Sequence, residues 1–144
     1  MIAGVLIMGG EAVRAADPPA DEAKSKAVLK PAAPVLPGEI VAALQEGKYD
    51  AAKTALAASR EKSKEPSERA YLGYLLAIAE RLAGQRDAAR ETLKAALGEE
   101  PNGPWGPKIR YELSALELAA GNHAAAEEIA RAEAIRLLGD DRKD

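Results

Sequence analysis

The sequence of 144 residues contains no cysteine, no phenylalanine, one tryptophan and one histidine. The absence of cysteine excludes disulfides, thiolate metal sites, a cysteine nucleophile and a lipid-bearing cysteine near the N-terminus. The single histidine, His123, cannot form a recognisable transition-metal site without a second imidazole or a thiolate. The formal net charge of −3 provides no basic surface for a phosphate backbone. We therefore expect no metal, no cofactor and no nucleic-acid partner.

The sequence also lacks the side-chain combinations that carry out catalysis. Glu127 and Glu128 are adjacent carboxylates, but neighbouring residues on a helix do not face each other and cannot converge on a substrate. Ser114 and Thr54 lie in segments of helical composition, where the sequence indicates no activating base for either hydroxyl. We therefore predict that the protein is not an enzyme.

The residues that are abundant favour helices. The apolar share of 47% consists mostly of alanine and leucine, and 30% of the residues are charged. Alanine, leucine, glutamate, lysine and arginine lose little side-chain freedom in a helix, whereas the residues that favour strands are scarce here. The length suits one domain of roughly 100–150 residues. The composition therefore predicts an all-α protein with a single folded domain.

The N-terminal segment has the pattern of a signal peptide. The apolar run from Ile2 to Gly10 is much shorter than the ~20 residues that a membrane-spanning helix needs, so we expect no stable membrane span. Small residues at Val13 and Ala15 predict cleavage after residue 15 or 16, and thus export to the periplasm or out of the cell. No lysine or arginine precedes the run, and a cytoplasmic location is the alternative.

The remaining chain divides by composition. Residues 16–37 contain five prolines among alanine, lysine and acidic residues, a composition that buries too little apolar surface to order the chain. We predict a disordered linker there, a folded domain over residues 38–138, and a short tail over residues 139–144.

Three glycines mark an internal repeat. Gly47, Gly84 and Gly121 are evenly spaced, since 84 − 47 = 37 and 121 − 84 = 37. Each lies between two segments of helical composition, and glycine at a helix end takes the left-handed conformation without a steric clash. The sequence therefore predicts a tight turn between two helices at each glycine.

The unit around Gly84 resembles the tetratricopeptide repeat, a pair of helices of 34 residues. The matching positions are Leu76, Ala77, Ala89, Leu93, Ala96 and Pro101. The first unit departs at Ser59, the third departs at Glu133, and Gly73 replaces a bulky aromatic residue in the middle unit. The resemblance implies three antiparallel helical hairpins, stacked as a short right-handed solenoid with a concave surface that binds protein or peptide.

Helical periodicity separates packing residues from candidate binding residues. We expect two buried faces with apolar residues three and four positions apart, formed by Leu72, Leu75, Leu76, Ala79 and Leu82, and by Ile109, Leu113, Leu116 and Ala120. Another side of the first of these helices carries Tyr71, Tyr74, Ile78 and Arg81. We predict that these four residues contact an extended acidic or apolar peptide.

Trp105 lies between glycines and prolines in the longest segment between units. Two interpretations stay open: Trp105 covers the apolar contact between the second and third units, or it projects towards a partner as an aromatic anchor. The sequence thus favours a protein-binding scaffold or adaptor in the cell envelope or outside the cell. The alternative is a structural helical module, or the leading fragment of a larger secreted assembly.

Overall fold

The structure is a computed structural model that describes residues 33–141, with side chains as far as Gly139. Within these residues it contains six α-helices and no strand. The helices are α1 (Gly38–Gln45), α2 (Tyr49–Lys62), α3 (Pro66–Leu82), α4 (Arg86–Glu99), α5 (Gly106–Ala119) and α6 (His123–Asp141). The prediction of an all-α fold is therefore confirmed for this part of the chain.

The helices extend past the C-terminal limit predicted for the folded domain. The first helix begins at Gly38, and the last continues to Asp141, beyond the start of the segment predicted as a tail. The predicted signal peptide and most of the predicted linker lie outside the described residues. Among residues 33–141, no helix combines the length and apolar character needed to cross a membrane.

The three glycines end α1, α3 and α5 in the same way. Gly47, Gly84 and Gly121 have φ angles of 73°, 86° and 84°, in the region where a side chain would clash. After each glycine, the next backbone N–H donates to the carbonyl five residues earlier at 2.8 Å, which satisfies a carbonyl that the helix end leaves unpaired. The predicted tight turns are confirmed, and each joins two helices.

Helices that follow each other in the chain make the substantial contacts, and two apolar clusters hold them together. The first joins α1, α2 and α3 through Ile40, Ala43, Ala52, Leu56, Leu72, Leu76 and Ala79. The second joins α3, α4 and α5 through Ala70, Ala77, Ala89, Leu93, Ala96, Trp105, Ile109, Leu113 and Leu116. Because α3 contributes to both clusters, it is the central helix of the described fold.

The small residues at the helix contacts allow close packing. Ala52 and Ala89 are fully buried and Ala126 is nearly so. Gly73 does not leave a gap where an aromatic residue would pack, since a Cβ at this position would lie 2.8 Å from the Cβ of Ala96. Glycine therefore allows α3 to approach α4 more closely than any side chain at residue 73 would permit.

The predicted packing faces are too long at their C-terminal ends. Leu82 is 46% exposed and Ala120 is also exposed, although both continue the helical spacing of buried residues. Leu82 is the last residue of α3, and Ala120 follows the end of α5. The buried faces therefore stop one turn earlier, at Ala79 and Leu116.

Candidate functional site

The residues predicted to bind a partner divide between packing and surface. Trp105, directly before α5, is only 8% exposed, and its ring lies 4.4 Å from the ring of Tyr71, centroid to centroid. Of the two interpretations of Trp105, the structure supports the packing role at the contact between α3 and α5. Burial of the indole leaves little of its surface for direct contact with a partner.

Tyr74 and Ile78 are half-buried and lie on the same side of α3. Tyr74 packs against the second cluster, so its separation from the packing face is less complete than helical phase predicts. Burial raises the pKa of the Tyr74 phenol above its ordinary value of 10.0, and the charge of Glu112 adds to this effect. The phenol therefore stays protonated at neutral pH, where it can donate a hydrogen bond but cannot act as a base.

Arg81 at the end of α3 is partly engaged within the chain. Its Nε lies 3.5 Å from Oε2 of Glu112 on α5, and the two side chains are 37% and 19% exposed. The carboxylate of Glu112 therefore neutralises much of the positive charge with which Arg81 was expected to attract an acidic partner. The Arg81–Glu112 pair and the packing of Tyr74 place side chains of α3 and α5 next to each other on one surface.

Sequence reasoning missed the residues of α5 that continue this surface. Adding the repeat of 37 residues to 74, 78 and 81 gives 111, 115 and 118, which are Tyr111, Ala115 and Leu118. Tyr111 is 74% exposed and Leu118 is 52% exposed. We call the six residues the tyrosine stripe: Tyr74, Ile78 and Arg81 on α3, and Tyr111, Ala115 and Leu118 on α5. The 37-residue spacing of the glycines would have identified the three stripe residues on α5.

A groove of about 370 Å³ includes three residues of the tyrosine stripe, Arg81, Tyr111 and Ala115. Its lining consists of Arg81, Arg86, Tyr111, Glu112, Ala115, Leu116 and Ala119. Two arginines and one glutamate leave the groove with a net formal charge of +1, and the remaining lining is aromatic or aliphatic. Such a surface suits an extended chain segment with apolar side chains and one carboxylate.

No protein-family model, curated protein or solved structure matches this chain.

Glu117 is a buried carboxylate that sequence reasoning did not single out. It is 3% exposed and accepts a hydrogen bond from Nδ2 of Asn122 at 2.6 Å. Arg90 and Lys94 of α4 lie 3.7 and 3.8 Å from its oxygens. Because two cations and an amide surround it, Glu117 links α4, α5 and the turn before α6, and we assign it a structural role.

The described residues offer no site for metal-dependent chemistry. Among them, no group of three or more histidine, cysteine, aspartate or glutamate side chains could hold a metal ion. Glu99 is paired with Arg60 at 3.0 Å and with Arg69 at 3.1 Å, and the hydrogen bond from Arg69 holds the pKa of Glu99 below its ordinary value. This cluster joins α2, α3 and α4.

Proposed function

We propose that this protein is a non-enzymatic scaffold that binds a protein or peptide. In this proposal the three helix pairs stack as a short right-handed solenoid similar to tetratricopeptide repeats, and the tyrosine stripe lies on its concave face. The observation that carries the proposal is the repetition of the stripe. α3 and α5, the first helices of the second and third pairs, present residues at equivalent positions of the repeat, and Tyr111 and Leu118 of α5 are exposed. A surface that the fold repeats and leaves uncovered is suited to an elongated ligand.

The lining of the groove indicates the chemistry of the ligand. Ala115 and Ala119 offer an apolar floor, and Tyr111 adds a large aromatic face of the kind enriched in binding hot spots. Arg86 is exposed and adds a cation beside the Arg81–Glu112 pair. We therefore propose an extended peptide that places apolar side chains on α5 and a carboxylate near Arg86.

A peptide library selected on the intact chain tests this function, followed by calorimetry of the best binder. Ala115→Lys should weaken that binder by about tenfold, which is about 1.4 kcal/mol, because Ala115 belongs to the groove lining. Ala132→Lys is the matched control, because Ala132 is an exposed alanine of α6 and is absent from the groove lining. Equal affinities of Ala115→Lys and wild type, or a library without binders, would count against the tyrosine stripe as the binding surface.

We further propose that the scaffold acts outside the cytoplasm, on the basis of the apolar run and the small residues that follow it. N-terminal sequencing of the native protein tests this location. A mature chain that begins at Ala16 or Asp17 is expected, and intact Met1 in a cytoplasmic fraction would contradict export.

A structural module within a larger assembly is the second candidate function. The observation that favours it is the exposure of Ile135, Leu137 and Leu138 on α6, at 62%, 50% and 58%. Three large aliphatic residues in solvent at one end of the described fold suit a contact with another protein.

A further inference from the structure

Two grooves between paired helices are each filled by the next helix of the chain. α3 places Leu72, Leu76 and Ala79 in the cluster with α1 and α2. α5 places its apolar residues in the cluster with α3 and α4. The positions agree with the repeat, since 72, 76 and 79 plus 37 are 109, 113 and 116, which are Ile109, Leu113 and Leu116. The same docking geometry therefore occurs twice.

None of residues 33–141 fills the equivalent groove of the third pair of helices. Between α5 and α6 lies a largely apolar groove of about 410 Å³, which we call the terminal groove. Its lining includes Pro107, Tyr111, Ser114, Ala130, Glu133 and Ala134. Subtracting 37 gives positions 70, 74, 77, 93, 96 and 97, and all six residues there belong to the second cluster or pack against it. The other three lining residues, at 110, 129 and 137, correspond to Gly73, Thr92 and Glu100, which lie outside that cluster. The terminal groove thus repeats the surface that α5 covers on the preceding pair.

We propose that the terminal groove binds an amphipathic helix of a partner protein. The two helices that fill the preceding grooves define the pattern of the guest, which carries apolar side chains at positions i, i+4 and i+7, large at the first two. The two surfaces share Tyr111, but the evidence for the terminal groove is separate, because it rests on the two internal helix contacts that repeat at 37 residues. Continuity with these contacts specifies a helix as the occupant, in preference to an extended peptide.

Differences between the grooves specify the guest further. Leu93 is fully buried in the second cluster, whereas the equivalent residue of the third pair is Ala130 (93 + 37 = 130), which is exposed. A leucine has three carbon atoms more than an alanine, so the terminal groove has room for a bulkier guest side chain. We infer that the guest carries an aromatic residue or a leucine opposite Ala130.

A polar edge distinguishes the terminal groove from the preceding one. The close contact between Gly73 and Ala96 is replaced at the equivalent positions, 73 + 37 = 110 and 96 + 37 = 133, by an ion pair between Arg110 and Glu133 at 3.0 Å. Arg136 also pairs with Glu133 at 2.8 Å. A guest helix that offers a polar group at this edge would keep these charges solvated or hydrogen-bonded, whereas a wholly apolar helix would desolvate them.

The first helix of a second copy does not fit this pattern. Subtracting 37 from 72, 76 and 79 gives 35, 39 and 42, which are Val35, Glu39 and Ala42. The central position, a leucine in both α3 and α5, is Glu39 in α1. Docking α1 of another molecule would bury that carboxylate in an apolar groove, and burying an unpaired charge is costly. We therefore assign the terminal groove to a partner of different sequence.

The chain supplies its own probe for this site. A fluorescent peptide of residues 104–120 carries the α5 pattern, and its binding to the intact chain is measured by fluorescence anisotropy. Ala130→Lys in the protein should weaken binding by about tenfold or more, since the lysine fills the terminal groove. Ala132→Lys is the matched control, because Ala132 is an exposed alanine of the same helix outside the lining. A peptide with Leu113→Asp should not bind.

Circular dichroism first establishes that both lysine variants are folded. Saturable binding that Ala130→Lys removes and Ala132→Lys leaves within about twofold supports the proposal. Absence of binding by the wild-type peptide overturns it. Equal binding to Ala130→Lys also overturns it, because the peptide would then be replacing α5 on α3 and α4. Self-association of the chain, abolished by Ala130→Lys in sedimentation experiments, would identify a second copy as the occupant and reject a foreign helix.

Discussion

Replacing Gly73 with alanine tests the close approach of α3 to α4. The new Cβ would lie 2.8 Å from the Cβ of Ala96 and 3.3 Å from Nε of Arg60. Two carbon atoms are most stable about 3.5–4.0 Å apart, so the helices would have to separate by about 0.7 Å at this point, the difference between about 3.5 and 2.8 Å. Overpacking of this kind costs about 1–3 kcal/mol, whereas alanine in place of glycine inside a helix gains about 0.5–1 kcal/mol. We expect a net loss of about 0.5–2 kcal/mol.

The assay is urea unfolding followed by circular dichroism, with Gly98→Ala as the control. Gly98 lies in α4 with no atom within 4 Å of a Cβ built there, so only the gain in helix propensity applies and we expect stabilisation of up to about 0.5–1 kcal/mol. The opposite signs of these two glycine replacements would separate packing from propensity.

A double variant localises the effect to one pair of atoms. Ala96→Gly removes the methyl group that the new side chain meets, so Gly73→Ala combined with Ala96→Gly should be more stable than the sum of the single changes by about 1–2 kcal/mol. If Gly73→Ala stabilises as much as Gly98→Ala does, or if the double variant is simply additive, then α3 and α4 are not in the close contact described above.

Two further predictions concern stability. Trp105→Ala should cost about 3–4 kcal/mol, because it empties a buried site against Tyr71, whereas Tyr111→Ala at a mostly exposed site should cost less than about 1 kcal/mol in the same urea titration; similar costs would mean that Trp105 does not hold α5 in place. Glu99→Gln should cost about 1–2 kcal/mol near neutral pH. The pKa of Glu99 is lowered from 4.5 on folding, so its contribution is complete above the ordinary carboxyl pKa and is lost as pH falls through the lower folded value. Unfolding curves of wild type and Glu99→Gln should therefore converge in acid, and a constant difference at all pH values would contradict this assignment.

The sequence predicted the features that depend on neighbouring residues. The glycine turns follow from local backbone geometry, and this prediction agrees with the structure. Periodicity also identified the buried faces, but it extended them to Leu82 because spacing alone does not tell where the neighbouring helix ends.

Features that depend on distant residues were not predictable in the same way. The contact of Trp105 with Tyr71 joins two elements, so the sequence left two interpretations of that tryptophan. In the sequence, Glu117 cannot be distinguished from a surface carboxylate, because its two cationic partners lie on α4. Tyr111 and Leu118 could have been predicted, because the repeat places them at the positions of Tyr74 and Arg81.

The position of Tyr111 has a thermodynamic consequence for the two proposed surfaces. Its side chain borders both the groove along the tyrosine stripe and the terminal groove, and one phenol ring adopts one rotamer at a time. A ligand that selects a rotamer on one side changes the free energy of binding on the other. Linkage makes this influence reciprocal, so each ligand alters the dissociation constant of the other by the same factor. For two ligands that select different rotamers of Tyr111, this single exposed ring on α5 would couple the occupancy of the two proposed surfaces.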